Sequence, residues 1–198
     1  AQNSITSLQK ADSIHCYGSE FDVWLAKDNK LVVNHDPVYK MKYMEYSKGD
    51  ALTGLKLSNG ENLPSLQKYL EAGKKCNTKL ILELKAHNSK KRETKAVQEI
   101  LAMVKKMGLE DRMEYITFSL HAMKEFIRLA PAGTPVFYLN GELSPKELKD
   151  LGAAGLDYHM GVIKKHPEWI KEAHDLGLKV NVWTVDKAED MKWLIHQK

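Results

Sequence analysis

Hydrophobic and polar positions follow two rhythms along this chain, and the rhythms take turns. Short runs with apolar residues at every second position read as strands. Longer runs with apolar residues three and four apart read as helices. From Pro64 onward the exchange is regular. Residues 66–72 form a short helix stopped at Gly73, and 79–85 (K-L-I-L-E-L-K) a strand. Residues 89–107 form a helix with Val97, Ile100, Leu101 and Val104 on one face. A strand at 113–119 leads to a helix at 121–130. A strand at 135–139 leads to a helix opened by the capping box Ser144-Pro145-Lys146-Glu147 and closed at Gly152. Then come a strand at 156–160, a helix at 167–176, a strand at 178–185 and a last helix from Asp186, with Met191, Leu194 and Ile195 inward. Upstream, residues 1–15 carry the helical stripe Ile5, Leu8 and Ala11, with Asn3 or Ser4 as the cap.

Strands joined by crossover helices make a parallel sheet. Counting from the strand at Glu20 there are six β/α units. A helix without its strand precedes them, and another strand is expected after Lys198. The expected fold is α/β: a (β/α)8 TIM barrel read without its first and last strands, one domain over 1–198 with an inserted stretch at about 38–63. A doubly wound open sheet is the second reading, and no G-x-G-x-x-G supports it. The inserted stretch has no single period and is rich in Tyr, Met and Lys. It reads either as a lid, with Tyr39, Met41, Tyr43 and Met44 as candidate walls of a pocket, or as a packed surface excursion.

The stretch 18–37 carries the densest chemistry. Phe21, Val23 and Leu25 alternate with Glu20, Asp22 and Trp24, so two carboxylates at i and i+2 share one face. Like charges that close raise each other's pKa unless a cation intervenes, and a hard divalent ion takes oxygen ligands. A polar turn at 27–30 and a return strand at 31–33 then bring His35 and Asp36 back, a histidine placed for acid–base work. The plain alternative is a strand with one wet face and a solvent hairpin. In a (β/α)8 barrel the site lies at the C-terminal strand ends. That rule also selects Glu83 and Lys85, which read either as a third ligand beside a phosphate-neutralising lysine or as a simple ion pair. The remaining strand ends offer Ser119 as a substrate contact, Trp183, His121 and His159.

Composition narrows the rest. Hydrophobic residues at 43% and charged residues at 28% fit a globular chain of 198 residues. The net charge of +4 is mild and the lysines are scattered, so no nucleic-acid surface is expected. No run of about 18 apolar residues marks a membrane span. Cys16 and Cys76 each precede a strand. They read as a disulfide at one end of the sheet or as two buried thiols, the second being favoured. There is no G-x-S-x-G elbow, zinc spacing or Walker A loop.

The run E-x-D-V-x-x-x-K-D-x-x-L-V-V-x-H-D-P at 20–37 and the E-x-K at 83–85 resemble the signature of the glycerophosphodiester phosphodiesterase family. The resemblance implies metal-dependent hydrolysis of a small glycerophosphodiester to sn-glycerol 3-phosphate and an alcohol. It implies Glu20, Asp22 and Glu83 as ligands of Ca2+ or Mg2+, Lys85 as the stabiliser of transition-state charge, and His35 as half of a catalytic pair. The other histidine belongs to a His-Arg-Gly segment and is expected upstream of Ala1. Residues 1–4 resemble the family's Pro-Glu-Asn-Thr segment with Asn3 in register, departing at Ala1 and Gln2, so Asn3 becomes a substrate-binding candidate. Trp183 resembles a tryptophan lining the glycerol pocket. Two other readings stay open: a non-catalytic phosphoester-binding module, and a phospholipase-type phosphodiesterase acting on intact lipid. An extracytoplasmic location is expected.

Overall fold

Every second residue on six parallel strands faces one cavity, and the residues between them face a coat of helices. The computed structural model describes residues 1–197. The chain enters through α1 (Ile5–Ser13), capped by the Ser4 hydroxyl, which accepts the N–H of Ser7. It then forms β1 (Gly18–Leu25) and its antiparallel return β2 (Leu31–Val33). The inserted stretch holds a small hairpin, β3 (Val38–Tyr39) and β4 (Lys42–Tyr43), and a one-turn helix, α2 (Gly49–Thr53). After α3 (Leu66–Gly73) the alternation is strict. β5 (Lys79–Leu84), α4 (Lys90–Lys106), β6 (Met113–Thr117), α5 (Leu120–Leu129), β7 (Val136–Tyr138) and α6 (Pro145–Leu151) follow in turn. They lead to β8 (Gly155–His159), α7 (Met160–Lys165), α8 (Glu168–Asp175), β9 (Lys179–Trp183) and α9 (Ala188–Ile195).

The sheet runs β2-β1-β5-β6-β7-β8-β9, parallel from β1 to β9. Residues from β1, β5 and β8 and from just beyond β9 line the same cavity, so the sheet wraps round rather than lying open. This is the TIM-barrel type of α/β fold, not closed in this structure: β1 and β9 do not pair. Gly155 allows the tight β8–β9 approach, since a Cβ there would meet the Lys179 carbonyl oxygen at 1.9 Å.

The outward set on the strands (Phe21, Val23, Leu82, Leu84, Tyr115, Tyr138, Leu156, Tyr158) packs under Val97, Ile100, Phe126, Leu148 and Ile170 of the helices. Each such side chain contributes roughly 1.5–3 kcal/mol on burial. A smaller core of Ile116, Phe137 and Leu139 fills the barrel interior. A third, of Trp24, Val32, Met44, Leu52, Leu57 and Leu63, roots the inserted stretch.

Several sequence expectations are corrected. The expected strand at 156–160 ends at His159, where α7 begins, because the His159 ring accepts the N–H of Gly161 and caps that helix. Met191 and Ile195 of α9 are exposed rather than inward: among the described residues nothing covers the far edge of β9. Met44 is fully buried in the insertion's own core, whereas Met41 and Tyr43 stand in solvent, so the expected pocket wall does not form. Cys16 and Cys76 lie at one end of neighbouring strands and both are free, as favoured, but Cys16 is exposed rather than buried.

Candidate active site

Strand alternation brings the acids together. β1 and β5 pair in parallel with Asp22 opposite Glu83, so their inward carboxylates sit side by side and Glu20 lies one step below. Glu20, Asp22 and Glu83 each offer an oxygen within 4.8 Å of the other two. Asp22 and Glu83 are buried, while Glu20 opens on the cavity. The Lys85 ammonium lies 3.0 Å from Glu83 Oε1 and 3.6 Å from Asp22 Oδ1. That is one positive charge against three carboxylates.

The electrostatics show the deficit. Burial first, then the charge of Asp22, pushes the Glu83 carboxyl up to about 7. Burial, then the charges of Asp22 and Glu83, raises Glu20 above the ordinary carboxylate range. Burial alone would lower the Lys85 ammonium, but the charges of Glu83 and Asp22 outweigh it and hold it above its usual value. Asp22 Oδ1 and Glu83 Oε1 are buried with no hydrogen bond of good geometry. Lys85 is the one cation beside these adjacent carboxylates, and buried like charges left under-compensated are costly. The donor set, all carboxylate oxygen, fits a hard divalent ion.

Asp22 is gripped from behind. The Asn3 amide donates to Asp22 Oδ2 and its oxygen accepts the Asp22 backbone N–H, both at 3.0 Å. Asn3 adopts a left-handed φ of 59°, a conformation Asn tolerates better than most residues. The two bonds leave Oδ1 as the free oxygen.

His35 reaches the same cavity from the end of β2, its ring half-exposed and its Nδ1 2.8 Å from Asp36 Oδ1. The cavity, about 550 Å3, has two walls. Glu20, Asp22, Glu83, Lys85 and His35 make one; Ile116, Phe118, Leu139 and Trp183 make the other, with Gln2, Glu114, Asp157 and Asn181 between them. The Phe118 ring meets Trp183 edge-on at 5.7 Å. Asp157 is raised to about 7 by burial and then by the charge of Glu114.

A family model described as "Glycerophosphoryl diester phosphodiesterase family" matches residues 1–198. The chain belongs to this family. A crystal structure of a glycerophosphodiester phosphodiesterase from Parabacteroides distasonis is 50% identical, with a TM-score of 0.97, covering 100% of this chain and 83% of that one. A glycerophosphodiester phosphodiesterase of Caldanaerobacter subterraneus is 25% identical over 209 residues, 98% of this chain and 84% of the relative. An Oleispira antarctica phosphodiesterase, solved with the product sn-glycerol-3-phosphate, shares the fold at 20% identity and a TM-score of 0.84, covering 98% and 83% of the two chains. Family and relatives agree on an enzyme that hydrolyses glycerophosphodiesters.

The structure gathers Glu20, Asp22, Glu83, Lys85, His35 and Trp183 at one cavity, and leaves Asn3 and Ser119 outside it. Asn3 faces Asp22 with both ends of its amide. Ser119 caps α5: its hydroxyl accepts the Ala122 N–H and donates to Glu93. His121 is bonded to Thr94, and His159 caps α7.

Glu93, Glu114 and Asp157 escaped the sequence reading. Glu114 and Asp157 were findable by parity, since each stands two residues before a position already chosen or on the face of Ile116. Glu93 looked like an ordinary first-turn helix acid, and nothing local shows that it also accepts the His87 N–H.

Proposed function

We propose that Glu20, Asp22 and Glu83 hold a Ca2+ or Mg2+ ion, and that with Lys85 and His35 they convert a glycerophosphodiester to sn-glycerol 3-phosphate and an alcohol. The observation that carries this reading is the convergence of three carboxylates, each with an oxygen within 4.8 Å of the other two, on the single ammonium of Lys85. Bound there, a divalent cation supplies Lewis acidity toward a phosphoryl oxygen and the attacking oxygen.

The chain's own groups do the remainder. Lys85 donates to a non-bridging phosphoryl oxygen and holds the charge that grows on it as the fifth bond to phosphorus forms. It can do so because the neighbouring carboxylates keep it protonated. His35 has Nδ1 against Asp36, which leaves Nε2 to face the substrate and move a proton there. In support, His35 alone among the described histidines lines the cavity. Phe118 and Trp183, on the cavity's apolar side, seat the glycerol carbons.

The test is release of glycerol 3-phosphate from glycerophosphocholine and glycerophosphoethanolamine, followed by a coupled assay with and without EDTA. Release should stop with EDTA and return with Ca2+ or Mg2+. Release untouched by EDTA removes the metal from the scheme. Binding of diester without release assigns the chain to the non-catalytic alternative.

A further inference from the structure

The tip of the β3–β4 hairpin is unusual in backbone and in surface. Two residues join the strands, Lys40 and Met41, at φ of 45° and 65°. A two-residue turn with both φ positive matches the twist of the strands and ordinarily takes Asn-Gly, because a Cβ in that region is unfavourable. Here two long side chains occupy it. Met41 is 94% exposed, and Tyr43 and Tyr46 are 56% and 63% exposed with their rings edge-on at 6.1 Å. Lys40 and Lys42 are exposed and enter none of the ion pairs among the described residues. The nearby acids are engaged: Asp36 with His35, Asp50 with Lys30, and Glu45 with the Asn88 N–H.

The hairpin's base is tied to the core and to the segment just past Lys85. Met44 anchors the hairpin in the core with Trp24 and Val32. Asn88, just past Lys85, is held by Glu45 and donates to the Tyr46 hydroxyl at 2.7 Å.

We propose that this tip docks the protein on an anionic lipid surface, with Met41, Tyr43 and Tyr46 at the headgroup boundary and Lys40 and Lys42 against lipid phosphates. Tyrosine favours that boundary, and each lysine near an anionic surface adds attraction. A hairpin of two-residue strands offers far less than the roughly 1,000 Å2 that a specific protein interface buries, so a protein partner fits it poorly. Docking goes beyond the hydrolytic reading and does not need it, so the two fail separately.

The experiment is cosedimentation of the protein, in EDTA, with phosphatidylcholine vesicles that contain or lack phosphatidylglycerol. Binding should require phosphatidylglycerol and weaken with salt. Lys40→Ser with Lys42→Ser should lower partitioning on the order of ten-fold or more, and Met41→Ser several-fold with the salt dependence unchanged. Thermal melts confirm that the variants fold, and both should hydrolyse soluble glycerophosphocholine as the parent does. No binding at low salt, or equal binding by parent and double variant, overturns the proposal.

Discussion

On the β1–β5 side of the cavity, charged side chains are fixed by hydrogen bonds and ion pairs from behind: Asn3 on Asp22, Lys85 on Glu83. On the β6–β9 side, Ile116, Phe118, Leu139 and Trp183 are held mostly by one another. The difference fits what the proposed function asks of each wall. A phosphoryl group needs charges aimed to within a fraction of an ångström, and flexible carboxylates hold such aim only when their other atoms are bonded. A glycerol backbone needs a dry, shaped surface, which packing provides. The charged wall carries a cost that the apolar wall does not, because three like charges are pressed together. It should therefore be the less stable wall and the more catalytic one.

The strongest test of that contrast is Lys85→Met alongside Glu83→Gln. Lys85→Met removes the proposed donor to the phosphoryl oxygen, and kcat should fall by about 10²–10³. Glu83→Gln should reduce activity comparably, through the ion it is proposed to hold. Removing its charge also relieves repulsion on Asp22 and Glu20, so the melting temperature of the EDTA-treated protein should stay level or rise. A clear fall in that temperature would mean the acids stabilise the fold, and the contrast would fail.

A second test probes the support behind the charged wall. His87 accepts the Leu25 N–H at Nε2 (2.9 Å) and lies 2.6 Å from the Lys85 carbonyl through Nδ1. Only the neutral ring with its proton on Nδ1 satisfies both. Burial outweighs the bond to the Lys85 carbonyl and lowers its pKa to about 4. The unfolded chain binds this proton near pH 6.5, the folded one only near 4, so between those values the unfolded state holds more protons. The stabilisation is whole above about 6.5 and is lost as pH falls toward 4, on the order of 3 kcal/mol at most. Urea midpoints measured across that range should decline, and the decline should flatten in His87→Gln.

What the sequence made legible divides along the same line. Strand parity exposed Glu20, Asp22, Glu83 and Lys85, because alternation is a local rule and four polar side chains broke an apolar pattern. The six β/α units were legible for the same reason. The supports were not. Asn3 and Ser119 were expected at the substrate, yet one braces Asp22 and the other caps α5. Such roles depend on contacts between distant segments, and short polar residues look alike whether they touch a ligand or another side chain. The inserted stretch hid its order because a hairpin, one helical turn and a private core follow one another too quickly for any period to show.

Asn3 offers the next measurement, of intermediate size. Asn3→Gly keeps the left-handed backbone without strain but removes both bonds to Asp22. Affinity for Ca2+ or Mg2+ by titration calorimetry should fall about 10–100-fold, as when a bond that orients a ligand is lost. Asn3→Asp keeps the acceptor for the Asp22 N–H but sets another carboxylate against Asp22 and should bind no better. Affinity unchanged in the glycine variant would show that β-sheet pairing alone aims Asp22.

Trp183→Leu carries the smallest effect and the sharpest distinction. The ring packs on Phe118 and His159, and its Nε1–H donates to the Asp157 carbonyl at 2.9 Å. It touches none of the three acids' hydrogen bonds. Contact with unreacting glycerol carbons stabilises substrate and transition state alike, so KM should rise while kcat stays nearly constant. At roughly 0.8 kcal/mol for each methylene left in water, a loss of contact with one or two carbons raises KM about 4- to 15-fold. Metal affinity should not move. If it did, the ring would be transmitting position across the cavity to Glu20 or Asp22, and the two walls would have to be treated as one coupled unit.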